Sequence, residues 1–468
     1  MSTKGIADPR QPLQSKHKLG YSMGSLAENL AYNFYYLFFI YFLTDFAGMS
    51  PGLAGTVSLV SVVWDAVTDP YIGFLSDKST NPKGRRRPWI KRFAVPLGIM
   101  IVLLFVNVPL TGTPQFIYFI VANMIFWMLF TAVDIPFMVL GSEITRVEAE
   151  RTSLRSMCNV FNYASYGFSG YTLTLTFLIE KKVASYTVAW AITALVIAII
   201  VAVSFLIAYK STEGREDIPS AEQIEVVKQT NLFQSIKQSL KVKPYVYLLL
   251  YTLFAYTGIM LFTSDEVYIF QSVINASEFA TSNLYLGYAI IVMLMSPVFG
   301  KLAIKYDNRR VTIIGTLICG LGFVLYKFIP LTMVSVWGLL VANAFGATAF
   351  FVNGYTLVYD VAEVGGLKTQ NSNEGVMVSF FSFTMKFSTA VGMWLLGIIL
   401  EFYKYDPVNL TEYGITGIIN CGTIISGVII AIGAFFIYKY KIGNKELEIL
   451  RKMKASGNID QAIIDEML

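Results

Sequence analysis

Asp65 and Asp69 stand one helical turn apart in Val63-Trp64-Asp65-Ala66-Val67-Thr68-Asp69-Pro70, inside a stretch apolar enough to lie in a membrane. A lone carboxylate at the bilayer centre costs about 2.5 to 3.5 kcal/mol on insertion scales, so a pair on one helix face reads as an ion site. Thr68 lies between the two, and Pro70 removes the amide donor from the carbonyl of residue 66, which can then turn toward a ligand. Thr131 and Asp134, three apart with Pro136 two residues later, repeat the arrangement on another segment. If the two faces meet, three carboxylates and two hydroxyls converge. Such an all-oxygen set suits a hard monovalent cation and lacks the imidazole or thiolate that a transition metal prefers. Sodium fits it, and so does a proton on one carboxylate. The plainer alternative is that each Asp is a structural group bonded to a nearby Trp, Tyr or backbone donor; repetition on two segments argues against it.

Lys386, in Thr384-Met385-Lys386-Phe387-Ser388, is a single basic residue near the middle of an otherwise apolar span. A charge there needs a partner, and the aspartates across a central cavity are the expected one. Snorkelling to an interface is the alternative, weakened by about ten residues of span on either side. Glu28 and Asn29, with Tyr32, Asn33, Tyr35 and Tyr36 around them, make a polar and aromatic face of a kind that bonds sugar hydroxyls and stacks on pyranose rings. His17, the one histidine, lies in the N-terminal tail, so histidine chemistry has no place in the spans. Cys158, Cys319 and Cys421 form neither a disulfide framework nor a CxxC metal site and read as small packing residues.

The elements that must position these groups follow from composition. The chain is 55% hydrophobic, 15% aromatic and only 14% charged over 468 residues, the signature of a polytopic helical membrane protein. Twelve spans are expected: 19–43, 51–76, 89–110, 115–142, 155–179, 186–210, 245–273, 284–304, 311–329, 334–360, 376–402 and 415–440. The polar leader before the first span does not resemble a cleavable signal. Of the 36 Lys and Arg, all but Lys181, Lys182, Lys327, Lys404 and Lys386 fall on one side, which predicts cytoplasmic termini and a multi-pass protein of the inner or plasma membrane. The net charge of +5 is accounted for by this bias and calls for no nucleic-acid partner. The polar stretch 211–244 divides the spans six and six, so the expected order is a tail (1–18), a six-helix bundle (19–210), the linker (211–244), a second bundle (245–440) and a short cytoplasmic helix in 441–468. Each half carries a similar turn between its second and third spans: Gly73 to Asp77 followed by Gly84-Arg85-Arg86-Arg87, and Gly300-Lys301 followed by Asp307-Asn308-Arg309-Arg310. Helix capping and the inside charge bias could explain either turn alone. Both together predict the parallel repeat of an all-α major facilitator transporter, two six-helix bundles.

Asp65 to Pro70, Gly84-Arg85-Arg86-Arg87-Pro88-Trp89-Ile90, Asp134-Ile135-Pro136-Phe137, Glu150-Arg151 and Lys386 together resemble the glycoside-pentoside-hexuronide:cation symporter family, to which the melibiose carrier belongs. The resemblance runs over nearly the whole chain. It implies that Asp65 and Asp69 are cation ligands, that Thr68 and Thr131 add oxygens, that Asp134 lies where sugar and cation sites touch, and that Lys386 pairs with this acidic cluster. The sugar half departs from the pattern: Asn29 replaces an Asp, Met138 a stacking Trp, and Asn159 an Arg. Arg155, one turn before Asn159, either supplies the missing guanidinium or is an ordinary loop charge. At the tenth span's exit Asp360, Glu363 and Lys368 remain, whereas Gly365 and Gly366 depart from the family.

These residues predict a cation-coupled importer of a glycoside, pentoside or hexuronide, driven by Na+ or H+, with no cofactor, acting as a monomer in the bilayer. The substrate site is expected at Asn29, Tyr32, Asp134, Met138, Asn159 and Lys386, and gating at Asp77, Arg85, Arg86, Arg309, Arg310 and Asp360. One positive charge moving down 100 mV contributes about 2.3 kcal/mol, which supports roughly fifty-fold accumulation. The same scaffold also resembles sodium-coupled lysolipid carriers, the alternative substrate class. An intramembrane aspartyl protease would need a Gly-x-Gly-Asp that this chain lacks, and a sensor without flux is the remaining alternative.

Overall fold

The computed structural model describes residues 13–77, 79, 81, 84–145, 148–215, 232–369 and 374–456. Among them there is helix and no strand, as a chain must be if its backbone amides are to be satisfied within lipid. The helices are α1 Ser15–Tyr41, α2 Pro51–Asp77, α3 Arg87–Leu104, α4 Thr113–Glu143, α5 Glu148–Gly170, α6 Thr172–Val183, α7 Tyr186–Ser211, α8 Leu232–Ser239, α9 Lys243–Tyr251, α10 Thr257–Tyr268, α11 Glu278–Tyr306, α12 Asn308–Tyr326, α13 Ser335–Thr369, α14 Glu374–Phe402, α15 Glu412–Asn420, α16 Ser426–Lys439 and α17 Asn444–Ser456. Wider π turns at Phe42–Phe46, Thr252–Tyr256, Ile269–Val273 and Cys421–Ile425 extend or join α1, α9, α10, α15 and α16 without ending the helical path.

Each of the twelve expected spans contains helix, with instructive differences: the third, expected to 110, ends at Leu104, and the ninth, expected to 329, ends at Tyr326. The fifth is broken at Tyr171 into α5 and α6, and α5 begins seven residues before the expected start at Arg155. The tenth was expected to end at Asp360, but α13 continues to Thr369, because hydropathy marks where the apolar stretch stops rather than where the hydrogen-bond ladder stops. The linker contains the amphipathic helix α8, and α17 occupies the expected tail helix; residues 457–468 lie outside the described part. Eight described helices are long and apolar enough to cross a membrane on their own. The four remaining spans carry the polar residues of interest or, in α3, a basic start, and they depend on neighbours to bury them.

The chain forms two compact units, 1–228 with 276–289, and 229–275 with 290–468. In the first, α1 packs on α5 and α7, α2 on α4, and α3 on α4 and α7. Phe34, Phe105 and Trp190 stack at its core, with ring centroids 4.1 Å apart for Phe34 and Phe105. Leu195, Ile199, Val203 and Ile207 form an exposed stripe at four-residue spacing on α7, an apolar face suited to lipid. In the second unit α12 packs on α13 and α16, α10 on α14, and α9 on α16. Gly84 and Asp307, each just before the third helix of its half, have nearly the same backbone angle, φ 101 and 102.

Candidate functional site

The first unit brings α2 and α4 together along the faces that carry the oxygens. The Thr131 hydroxyl lies 2.9 Å from Asp65 Oδ1 and 2.6 Å from Asp69 Oδ1, so one side chain of α4 spans two carboxylates of α2. Asp65 and Thr131 are each only 1% exposed, and Asp69 is half-buried. A hydroxyl has one hydrogen and two carboxylates cannot both receive it fully. Two carboxylate oxygens thus lie within hydrogen-bond distance of one hydroxyl oxygen, an arrangement of oxygens of the kind a cation can bind. Thr68 is buried and donates its hydroxyl to the Asp65 carbonyl at 3.2 Å. The donors present are two carboxylates and two hydroxyls, a set that fits Na+ or Li+.

Asp134, one turn along α4, meets the first helix. The Tyr21 hydroxyl of α1 donates to the Phe137 carbonyl at 3.0 Å, and the two rings stack at 4.5 Å. This clamp sets α1 against the Asp134-Ile135-Pro136-Phe137 segment, and the Glu28 carboxylate comes within electrostatic range of Asp134. Ser22 Oγ of α1 lies 3.6 Å from Cys158 Sγ of α5, so α1 and α5 share a polar layer beside this clamp. Asn29 donates to Asn162 Oδ1 at 2.8 Å and to the Ser25 carbonyl at 3.1 Å, tying α1 to α5. Tyr32 is half-buried, edge-on to Tyr36 at 4.1 Å and to Trp127 at 6.2 Å.

Other expected residues have different surroundings. Tyr35 and Tyr36 are buried among Phe126 and Trp127, and Asn123 donates to the Tyr35 hydroxyl at 2.8 Å; both tyrosines are core groups of their unit. Met138 is 59% exposed, and Asn159 and Arg155 are exposed on α5. Lys386 belongs to the second unit, half-buried on α14. Of the residues expected to gate, Arg86 is buried and donates to Ser76 Oγ at 2.8 Å, and Arg309 donates to the Tyr438 carbonyl at 2.7 Å. Arg87, which was not assigned a gating part, donates to the Tyr209 carbonyl at 2.9 Å and lies 4.5 Å over its ring. These arginines tie helix ends within their own units. Arg85 is half-buried, Arg310 exposed and Asp360 buried, while the side chains of Asp77 and Lys368 lie outside the described part.

Sequence reasoning gave Glu28 only a place on a sugar-facing surface and did not pick out Asn162, an amide three residues after Asn159 on the same helix. It also passed over Asp265 and Glu266, consecutive acids inside the seventh span that are both fully buried. Two adjacent carboxylates in an apolar stretch were the available signal.

The family model described as "MFS/sugar transport protein" matches residues 20–444. Similar proteins include the isoprimeverose transporter of Lactiplantibacillus pentosus, 22% identical with 96% of this chain and 93% of the relative covered, and the glucuronide carrier protein homolog of Escherichia coli (strain K12), 25% identical with 98% and 99% covered. Among solved structures the D-xylose-proton symporter superposes with a TM-score of 0.63 at 15% identity, over 91% of this chain and 97% of the other. That likeness establishes the fold. A match running through nearly all the helices, together with full-length relatives that are transporters, excludes an enzyme as the reading of the buried aspartates. The chain belongs to the MFS/sugar transport protein family and is a multi-pass membrane transporter of the major facilitator fold.

Proposed function

We propose that this transporter imports a glycoside, pentoside or hexuronide in symport with Na+, and that Asp65, Asp69, Thr68 and Thr131 hold the ion. The observation that carries the reading is the single Thr131 hydroxyl set between two carboxylate oxygens. A proton needs one carboxylate, whereas a metal ion needs several oxygens close together, and the conjunction of both aspartates with a hydroxyl favours sodium. When the ion is held, Thr131 no longer has to divide its hydrogen, α2 and α4 are drawn together, and Asp134 is fixed one turn along α4. Asp134, Glu28 and the Asn29–Asn162 amides then meet the sugar hydroxyls as acceptors and donors. Ion and sugar each tighten the other's binding, because each pays part of the cost of ordering the same layer. The names of the isoprimeverose and glucuronide relatives support a sugar substrate. Alternating access follows from the family fold, with both termini in the cytoplasm by the charge bias.

The test is uptake of labelled glycosides, pentosides, hexuronides and a lysolipid into membrane vesicles with and without an inward sodium gradient, beside Asp69→Asn. Sodium-dependent sugar uptake that disappears in the variant, with the variant still inserted, is expected. Uptake of the lysolipid alone would replace the substrate class, and normal concentrative uptake by Asp69→Asn would overturn the cation site.

A further inference from the structure

The second unit holds a buried acid that sodium and sugar binding in the first unit do not use. Asp265, on α10, is 0% exposed; the Gly422 backbone amide faces its carboxylate and no side-chain donor pairs with it. Its Oδ2 abuts Gly422, where an added Cβ would come within 2.7 Å of that oxygen. Gly422 lies in the π turn Cys421–Ile425, where the regular helical ladder is interrupted. Ile269 and Phe262, one turn to either side of Asp265 along α10 and its π extension, complete an apolar surround at Gly422.

The nearest cations on the elements packed here stand at helix ends: half-buried Lys327 closes α12, whose Phe323 ring lies 4.5 Å from Phe262, and exposed Lys404 precedes Tyr405, whose ring meets Tyr268 at 5.3 Å. Glu266, the neighbour in sequence, is also 0% exposed and accepts from Asn343 Nδ2 of α13 at 3.4 Å; the Cys421 thiol faces the carboxyl from the π turn. On α14, Ser388 bonds the Thr252 carbonyl, which places Lys386 more than three helical turns from Asp265 along α10. Asp360 and Glu363 lie far along α13 from Asn343. Glu401 on α14, Glu412 and Tyr413 on α15, and Tyr438 and Lys439 on α16 are exposed near helix ends, as is Lys243 at the start of α9.

A buried carboxylate whose charge is met by no more than a backbone amide costs several kcal/mol to keep ionised, and one proton removes that charge. A metal ion would want several oxygens within about 2.6 Å, and an apolar surround does not offer them. We propose that Asp265 is a proton-binding site of the second unit, separate from the Asp65–Asp69 cation site and loaded with a proton in this conformation.

The test is infrared spectroscopy of the full-length transporter in lipid, without sugar and without a sodium gradient, so its result is independent of the symport reading. Wild type is expected to show a protonated-carboxyl C=O band at neutral pH that shifts in heavy water, shifts again when aspartate is carbon-13 labelled at the side-chain carboxyl, and fades in alkaline buffer. The band is expected to be lost in Asp265→Asn and kept in Asp69→Asn. A band unchanged in Asp265→Asn would overturn the proposal. Should that variant not fold, the labelled wild type decides: no aspartate-derived protonated band would overturn it equally.

Discussion

One hydroxyl between two carboxylate oxygens makes Thr131 the residue on which the proposed ion site turns. Thr131→Val keeps the shape and removes the oxygen, so sodium affinity should fall about tenfold, about 1.4 kcal/mol, by loss of one ligand. Thr131→Ser should restore most of it. Sodium titration of the purified protein by calorimetry checks both, and equal affinities in wild type and Thr131→Val would remove Thr131 from the ligand set. The spacing of Asp65, Thr68 and Asp69 made this face legible, since residues three and four apart lie over one another on a helix. Asp134 was legible by the same spacing from Thr131, but its neighbour across the helices was not. Its proximity to Glu28 depends on the Tyr21 clamp between α1 and α4, which no spacing along a single segment encodes.

The two turns that open α3 and α12 share a positive φ, filled by Gly84 in one and Asp307 in the other. Glycine adopts that angle without a Cβ penalty, whereas Asp307 bears strain and recovers part of it by capping α12 through the Arg309 amide at 3.3 Å. Gly84→Ala should therefore destabilise by about 1–3 kcal/mol. Asp307→Gly trades a cap worth a few tenths of a kcal/mol for relief of strain and should melt at or above wild type. Thermal unfolding in detergent compares them; equal losses in both would refute the equivalence of the turns. In the loop after α14, the backbone amides of Val408 and Asn409 hold the Asp406 carboxyl below the usual carboxylate range. A depressed folded-state value means that its contribution is present above the ordinary range and is lost as pH falls through the lowered one. Amide exchange of this loop should accelerate in strongly acid buffer, and in Asp406→Ala it should be fast already at neutral pH.

At the scale of the whole molecule, the proposed symport requires by linkage that sodium raise sugar affinity by the same factor as sugar raises sodium affinity, typically 5- to 150-fold. Paired titrations of each ligand with and without the other measure both factors, and unequal factors would mean that the two do not bind one thermodynamic unit. The sequence by itself determined the membrane class, the helical spans and the shared α2 face of Asp65, Thr68 and Asp69, because hydropathy and helical periodicity are local properties of the chain. It also carried the family pattern that the full-length match supports. Tertiary structure decided what local patterns cannot hold. Packing of α1 against its neighbours spends the Asn29 amide on Asn162 and sinks Tyr35 and Tyr36 into the core. The helical ladder carries α13 past the end of its apolar stretch, and the approach of the Cys421–Ile425 π turn to α10 leaves Asp265 in an apolar surround. Each of these depends on which helix faces meet, and that is settled by shape complementarity between segments distant in sequence.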